Sequence, residues 1–491
     1  MGLIIDRSEF SEEDYRLAGA RLQENLRALQ MLFARPEFGR GDSSLGAELE
    51  MCIVDEQAQA LPLNRQVLAD SLDPNLQPEL DRFNLEYNLS PVMSAGTPFA
   101  TMRAELENAL AELGRIAATH GGRIVPIGIL PTLSEAQVQS NSMTDLDRYR
   151  ALQAGIQRLR QLDFHIRIDG AEPLDVKCDS VTLEGANTSF QVHLRVNPDE
   201  FASYYNAAQL ATPLALALSA NSPFFLGHSL WDETRIALFK QSVDTRGSHS
   251  RQWRRAARVP FGHGWVRHGA LELFAESCHL YPIILPVCGT EDAVGIAESG
   301  GMPELLELRL HQGTIWNWNR AVFDASAGGH VRIEFRALPS GPAPIDMMAN
   351  AAFLVGLTVG LSKSVDAMLS AFPFRYAEYN FYRAAQHSLR AELLWPTLDG
   401  NSPRAVNAAT LCAELLETAE RGLEIIGVDA AERKQLIGII RERLKSGVTP
   451  ALWQRRLLER MPGAHREEAL VRVVEEYMEQ VNRGRPVSEW P

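Results

Sequence analysis

An α+β fold is predicted, with a mainly antiparallel sheet flanked by helices and a helical region at the C-terminal end. Three observations predict it: short runs of period-two alternation between residues 44 and 338, longer runs of helical period between them, and the loss of alternation after Ile345. The chain divides accordingly into a helical lead over residues 1–43, a sheet-and-helix domain over 44–345, and a helical region over 346–491 packing on it. With 491 residues a sizeable core is within reach.

Ser11 precedes an acidic first turn, and Leu17, Leu22, Leu26, Leu29 and Leu32 then recur at helical spacing, predicting a helix to about Ala34. Strand-like runs follow at 44–54 and 83–89. Thr97 as N-cap and Pro98 at the first helical position open a second helix, which Gly121 and Gly122 close. Further strand-like runs lie at 123–129, 187–196 and 331–338, and residues 287–303 have loop composition. Beyond Ile345, Asp429 and Glu432 form a D-x-x-E capping box after Gly427, and Thr449-Pro450 opens another helix. The longest apolar runs, near 351–361 and 208–219, are too short to span a bilayer, and Pro213 interrupts the second.

Lys and Arg number 48 against 62 Asp and Glu, so the net charge of −14 excludes nucleic acid and an anionic membrane surface as main partners. Cys52, Cys178, Cys278, Cys288 and Cys412 are scattered and show no CxxC spacing, which fits a reducing compartment better than a disulfide framework or a zinc site. The first residues carry no basic flank before an apolar run, and Asp6 stands where a myristoylation signal has Ser or Thr. A cytoplasmic location is expected.

Side chains alternate across a strand, so each run splits into two faces. In the first, Leu49, Met51 and Ile53 oppose Glu48, Glu50 and Cys52; in the second, Phe83, Leu85, Tyr87 and Leu89 oppose Asn84, Glu86 and Asn88. In the run at 187–196, Ser189, Gln191, His193 and Arg195 share the polar face; near 331–338 it is Arg332, Glu334 and Arg336. A solvated face is normally rich in Lys and Thr, whereas these faces hold carboxylates, amides, one His and Arg, with no Lys. Glu48, Glu50, Glu86 and Glu334 converging from separate strands would repel unless cations sat among them. Carboxylates with one imidazole suit Mg²⁺ or Mn²⁺. Such a set points to a phosphorylated substrate, ATP first. The chain has no GxxxxGK[ST] loop and no GxGxxG after a strand, so the nucleotide would be held by metal and arginine on the sheet. Arg235, Arg336, and Arg246, Arg251, Arg254, Arg255 and Arg258 of the loop 245–258 are the candidates.

The ordered pieces GAELEMCIVD, LEYNLSPV, ANTSFQVHLRV, ANSPFFLGHSLWDETRIALFK, HVRIEFRALPSGP and NFYRAAQHSL span residues 44 to 390. Together they resemble the glutamate–cysteine ligase family, in its branch of bacterial carboxylate–amine ligases with a catalytic domain similar to that of glutamine synthetase. The resemblance implies a curved sheet forming a funnel, with two or three Mg²⁺ ions at its base and ATP as co-substrate. It implies Glu48, Glu50, Glu86, His193 and Glu334 as metal ligands, with Glu79 or Asp81 as a further carboxylate. Arg336, Arg235 and Glu334 would act in catalysis, and Gln191, Arg235, Arg336, Asn88 and Arg246 would contact substrate or nucleotide. The implied reaction moves the γ-phosphoryl of ATP to the γ-carboxyl of glutamate, and an amine, cysteine foremost, displaces the phosphate. The partners are then ATP, glutamate and an amine, with room for a homodimer. Thr234 stands where the family often has Ser or Tyr before an arginine, and no residue can be assigned to cysteine recognition.

The residues by themselves leave three activities open: this ligase with cysteine or another amine or acid, a metal-dependent hydrolase, and a non-catalytic sensor of nucleotide or amino acid. Cys52 shares a face with Glu48 and Glu50 but reads as a small buried apolar residue. His263, His268, His311 and His387 read as structural, and Asn380, Arg383 and His387 as one face of a helix near the site.

Overall fold

The computed structural model describes residues 5–246, 255–397 and 402–491. Alternating sequence builds one eight-stranded sheet: β1 (Ser44–Val54), β2 (Leu76–Pro78), β3 (Asn84–Asn88), β4 (Val92–Met93), β5 (Arg123–Val125), β6 (Phe190–Arg195), β7 (Asn319–Asp324) and β8 (His330–Phe335). Six strands run in the order β7-β8-β6-β1-β3-β2, while β4 and β5 pair with the two ends of β1. Every pairing is antiparallel, as the fold class requires.

The helices that frame the sheet are α1 (Glu12–Phe33), α2 (Pro98–Thr119), α3 (Asp147–Arg160), α4 (Phe201–Ser219), α5 (Ala270–Leu280), α6 (Leu306–Gln312) and α7 (Pro344–Ser362). After α7 come α8 (Leu416–Ile425), α9 (Ala430–Ser446) and α10 (Arg466–Asn482). The apolar face of the sheet, with Leu49, Met51, Leu85, Phe190, Val192, Ile333 and Phe335 all buried, packs against α2, α4 and α7. Residues of α3, α5 and α6 stand over the other face and enclose a cavity above it.

Several elements depart from expectation, each for a local reason. The run at 123–129 pairs only to Val125, because Pro126 has no N–H to continue the ladder. The run at 187–196 joins the sheet at Phe190, since the Thr188 N–H donates to the Gly128 carbonyl and its carbonyl accepts from the Ser340 N–H instead of continuing the ladder. Residues 287–303 are not all loop: Asp292 accepts from the Gly295 N–H at 3.0 Å and caps a short helix, Ala293–Glu298. After Ile345 a hairpin of Glu392–Trp395 with Arg404–Asn407 appears; its four-residue strands are too short to show a period. The helix α4 continues through Pro213, with all but Ala202 and Ser203 buried, so packing outweighs the lost hydrogen bond. The run near 351–361 extends to a 19-residue helix, α7, apolar and long enough to cross a membrane but 94% buried inside the protein. Such burial marks a core helix, and α7 packs on α2, α4, α8 and α9.

Caps follow the same logic. Ser11 and Asp14 form a reciprocal capping box on α1, and the Thr449 hydroxyl accepts from the Leu452 N–H. Asp429 and Glu432 do not form the expected box. Instead Glu432 accepts from the Ala100 N–H at 2.6 Å, capping α2 from outside, while the Thr97 side chain makes no capping bond.

Candidate metal and substrate site

Register brings the polar faces together. Glu50 stands opposite Glu86, Glu48 lies between Asn88 on β3 and Gln191 on β6, and Glu334 lies between His193 on β6 and Arg320 on β7. Two sets result, each with ligand atoms within 4.8 Å of one another: Glu48, His193 and Glu334, and Glu50, Glu79 and Glu86. The strand parity that buries Leu49 and Met51 turns Glu48 and Glu50 to the cavity side, so one alternation serves both core and site.

The first set is charge-balanced. Its Nε2 of His193 is 3.3 Å from Glu48 Oε1 and 3.6 Å from Glu334 Oε1, yet this buried nitrogen has no hydrogen-bond partner among the described residues. Burial works to raise the Glu334 carboxyl, but Arg320 at 2.6 Å, Arg336 at 3.2 Å and His193 outweigh it and hold it below its usual value. Burial pushes the His193 imidazole the other way, downward, so it is neutral and free to donate a lone pair.

The second set is acidic. Burial and then Glu86 push Glu50 up to about 7, and burial and then Glu50 push Glu79 up to about 7. Glu86 is raised further, by burial and by Glu48 and Glu79. Three carboxylates held this close are costly unless protonated or bridged by a cation. An unpartnered imidazole nitrogen beside two carboxylates, and three carboxylates that mutually raise their affinity for positive charge, both fit a hard divalent cation.

The cavity above these sets has a volume of about 320 Å³. Arg336 reaches it from the end of β8, donating to Gln191 Oε1 and to Glu334, while Gln191 Nε2 donates to Glu50 Oε1 at 3.0 Å. This chain of bonds fixes the guanidinium between the two carboxylate sets. Burial opposes the Arg336 charge, but Glu334, Glu50 and Glu48 stabilise it more. Apolar side chains, among them Phe274, Leu308, Trp316 and Phe323, line the far wall.

Other predicted residues are placed elsewhere. Arg235 is buried and does not line the cavity: its Nε meets Glu233 at 2.8 Å and its guanidinium donates to the Ala337 carbonyl at 2.5 Å, which braces the backbone beside Arg336. Arg246 is held by Asp244 at 2.7 Å, outside the cavity lining. Asn88 stands behind Glu86, donating to its Oε1 at 2.8 Å. Between Glu79 and Asp81, Glu79 lines the cavity; Asp81 is buried behind Gly185. Arg258 is a core residue bonded to the Thr314 and Pro282 carbonyls, and Arg255 reaches the Leu159 carbonyl at 3.4 Å. Arg251 and Arg254 lie outside the described residues. Burial pushes the Cys52 thiol up to about 12, which keeps it protonated as a small buried residue of the core. Asn380 exchanges hydrogen bonds with the Leu394 backbone and is structural. Sequence reasoning missed Arg320, Arg148 and Glu184, all of which line the cavity.

Residues 44–476 match the model of glutamate-cysteine ligase family 2, GCS2. The chain belongs to this family. Among curated relatives, a Roseiflexus castenholzii protein named "Putative glutamate–cysteine ligase 2" is 26% identical over 215 residues, covering 42% of this chain and 48% of the relative. A Rubrobacter xylanophilus protein named "Putative glutamate–cysteine ligase 2-1" is 28% identical over 213 residues, 42% of this chain and 49% of the relative. The chain thus spans about half the length of the curated relatives it matches. A solved glutamate–cysteine ligase from Francisella tularensis, in complex with AMP, superposes with a TM-score of 0.55 at 12% identity, over 92% of this chain and 91% of that one. At that identity the likeness establishes the shared glutamine-synthetase-like fold.

Proposed function

We propose that this GCS2 member is an ATP- and Mg²⁺-dependent carboxylate–amine ligase that joins the γ-carboxyl of glutamate to an amine, cysteine foremost, through γ-glutamyl phosphate. The observation that carries the reading is the pair of ligand sets in one cavity with Arg336 wired between them. Glu48, His193 and Glu334 would hold one Mg²⁺, and Glu50, Glu79 and Glu86 another. When bound, the ions would offset charge on the phosphoryl group being transferred. Arg336 adds fixed positive charge at the same place and, being already oriented by Gln191 and Glu334, needs no reorganisation during the reaction. Arg320 keeps Glu334 ionised as an acceptor of metal. The relatives' names support cysteine as the amine and glutamate as the acid.

In this reading residues 44–345 carry the chemistry, and the helices before and after them support it. The five free cysteines accord with a reducing cytoplasm. The test is ADP release by the full chain with Mg²⁺-ATP and glutamate, scanned across cysteine and other amines, with products weighed by mass spectrometry. A cysteine-dependent rise with γ-glutamylcysteine formed is the expected result. A rise with another amine would keep the reaction type and change the acceptor, and no rise with any pair would overturn the reading.

A further inference from the structure

Of the arginines lining the cavity, Arg309 is paired with Glu304, Arg320 and Arg336 with Glu334, and Arg332 with Asp324. Arg148 alone is left over: in the first turn of α3, it has no hydrogen bond or ion pair among the described residues. Its guanidinium carbon sits 5.1 Å from the centre of the Tyr149 ring, and that ring is pinned by a 2.8 Å bond from its hydroxyl to the Pro78 carbonyl. Among the lining carboxylates, Glu184 is likewise left over. It stands on the short helix Thr182–Gly185, outside both ligand sets, and its carboxyl group accepts no hydrogen bond among the described residues. Both side chains line the same cavity, with Glu79 and Tyr149; burial and then Glu50 push Glu184 up to about 8, against the pull of Arg336 and Arg148, so a ligand cation beside it would restore its charge.

We propose that Arg148 and Glu184 together hold the head group of an α-amino acid, Arg148 taking its carboxylate and Glu184 its ammonium. A guanidinium and a carboxylate that both lack partners in a partly enclosed cavity are each better served by one zwitterion than by water, because each ion of the ligand replaces lost hydration with a charge-assisted bond. A simple amine would leave Arg148 unpaired, and a dicarboxylate would leave Glu184 facing like charge. The assignment rests on the ligase reading for which substrate brings the head group, the glutamate donor or an amino-acid acceptor.

The experiment compares matched ligands on the full chain with Mg²⁺: glutamate against 4-aminobutyrate and glutarate, and cysteine against cysteamine. Binding is read by calorimetry without ATP, and KM with it. Arg148→Ala should erase the preference for the ligand carrying the α-carboxylate by roughly ten- to a hundredfold, since a bond between charged groups is at stake. Arg148→Lys should restore part of it. Glu184→Gln should erase the preference for glutamate over glutarate. Collapse of the glutamate preferences assigns the site to the donor, and collapse of the cysteine over cysteamine preference assigns it to the acceptor; either supports the proposal. Unchanged preferences in variants that melt like the parent would overturn it. Binding of the amino acid with no ADP release by the parent would defeat the ligase reading and leave this one standing.

Discussion

Glu334 and Glu50 show how neighbours decide what a carboxylate does. Two arginines and an imidazole hold Glu334 ionised, while burial and Glu86 load Glu50 with proton affinity. On the proposed ligase reading, Glu334→Gln should therefore lower ADP release on the order of a hundredfold or more, since it removes a proposed metal ligand and an acceptor that orients Arg336. Steady-state turnover at saturating Mg²⁺ measures it, and a change below about threefold would remove Glu334 from the site. Alternation alone made Glu48, Glu50, Glu86, Gln191, His193, Glu334 and Arg336 legible as one face, because parity is fixed once the apolar face is known. Arg148 and Glu184 were not legible, since they sit on helices that fold over the sheet and no periodicity links them to it. Arg235 is placed by a signal alternation does not carry: Glu233, two residues earlier, holds it beside the Ala337 carbonyl. A second residue-scale prediction concerns His311, buried in α6 with its Nε2 at 2.9 Å from the Ser277 carbonyl. Burial pushes its pKa down to about 4 from an ordinary 6.5. Between about pH 6.5 and pH 4 the unfolded chain then binds up to one more proton than the folded chain, so this group's stability is complete above 6.5 and is lost as pH falls toward 4. At pH 5 the loss is about 2 kcal/mol. Unfolding free energies from urea titrations at pH 7 and pH 5 should differ by that much less in His311→Gln than in the parent.

Elements were best anticipated where side-chain period and capping chemistry agreed, as in α1 and β1. They were missed where a tertiary contact supplied what local sequence did not. The strand β7 has buried Asn319, Ala321 and Phe323 alternating with Arg320, Val322 and Asp324, a pattern too weakly apolar to stand out until β8 pairs with it. The start of α2 makes the same point with a measurable consequence. Its free N–H groups are satisfied by Glu432 from α9, with Gly96 and Asp429 joined by a backbone bond of 2.7 Å alongside. Glu432→Ala should destabilise the protein by about 1–2 kcal/mol, through the lost cap and the lost carboxylate at a helix N-terminus, while Thr97→Ala should change little. Thermal melting of both variants separates them; equal effects would contradict the capping assignment. The crossing of α7 and α8 is set by glycine, since a Cβ added at Gly356 would strike the Ala419 carbonyl and one at Gly422 the Gly356 carbonyl. Backbone cannot yield as a flexible side chain can, so Gly356→Ala should cost about 1–3 kcal/mol where a helix interior would otherwise gain from alanine.

Across the whole molecule, the helices that follow the sheet are tied to the strand that carries the site. The Asn221 amide donates to the Ser340 carbonyl and to the Tyr477 hydroxyl of α10, each at 2.8 Å, and the Tyr477 hydroxyl donates to the Pro126 carbonyl at 2.9 Å. Ser340 in turn donates from its hydroxyl to the Glu50 carbonyl at 2.6 Å. A second tie is ionic. Arg443 of α9 meets Asp346 of α7, both fully buried, and Asp346 also accepts from the Val487 N–H near the end of the chain, at 3.1 Å. An ion pair with no exposure is a poor source of net stability but an expensive one to break, because the surviving charge has nowhere to go. Arg443→Met should therefore cost about 3–5 kcal/mol, whereas the double variant Arg443→Met with Asp346→Leu should recover much of it. If the sheet and the C-terminal helices share one cooperative unit, the single variant lowers the temperature at which the proposed Mg²⁺ binding is lost together with the temperature at which helical circular dichroism is lost. Two separated transitions, with the site surviving the helices, would show instead that the bonds from Tyr477 through Asn221 and Ser340 to β1 carry no mechanical load.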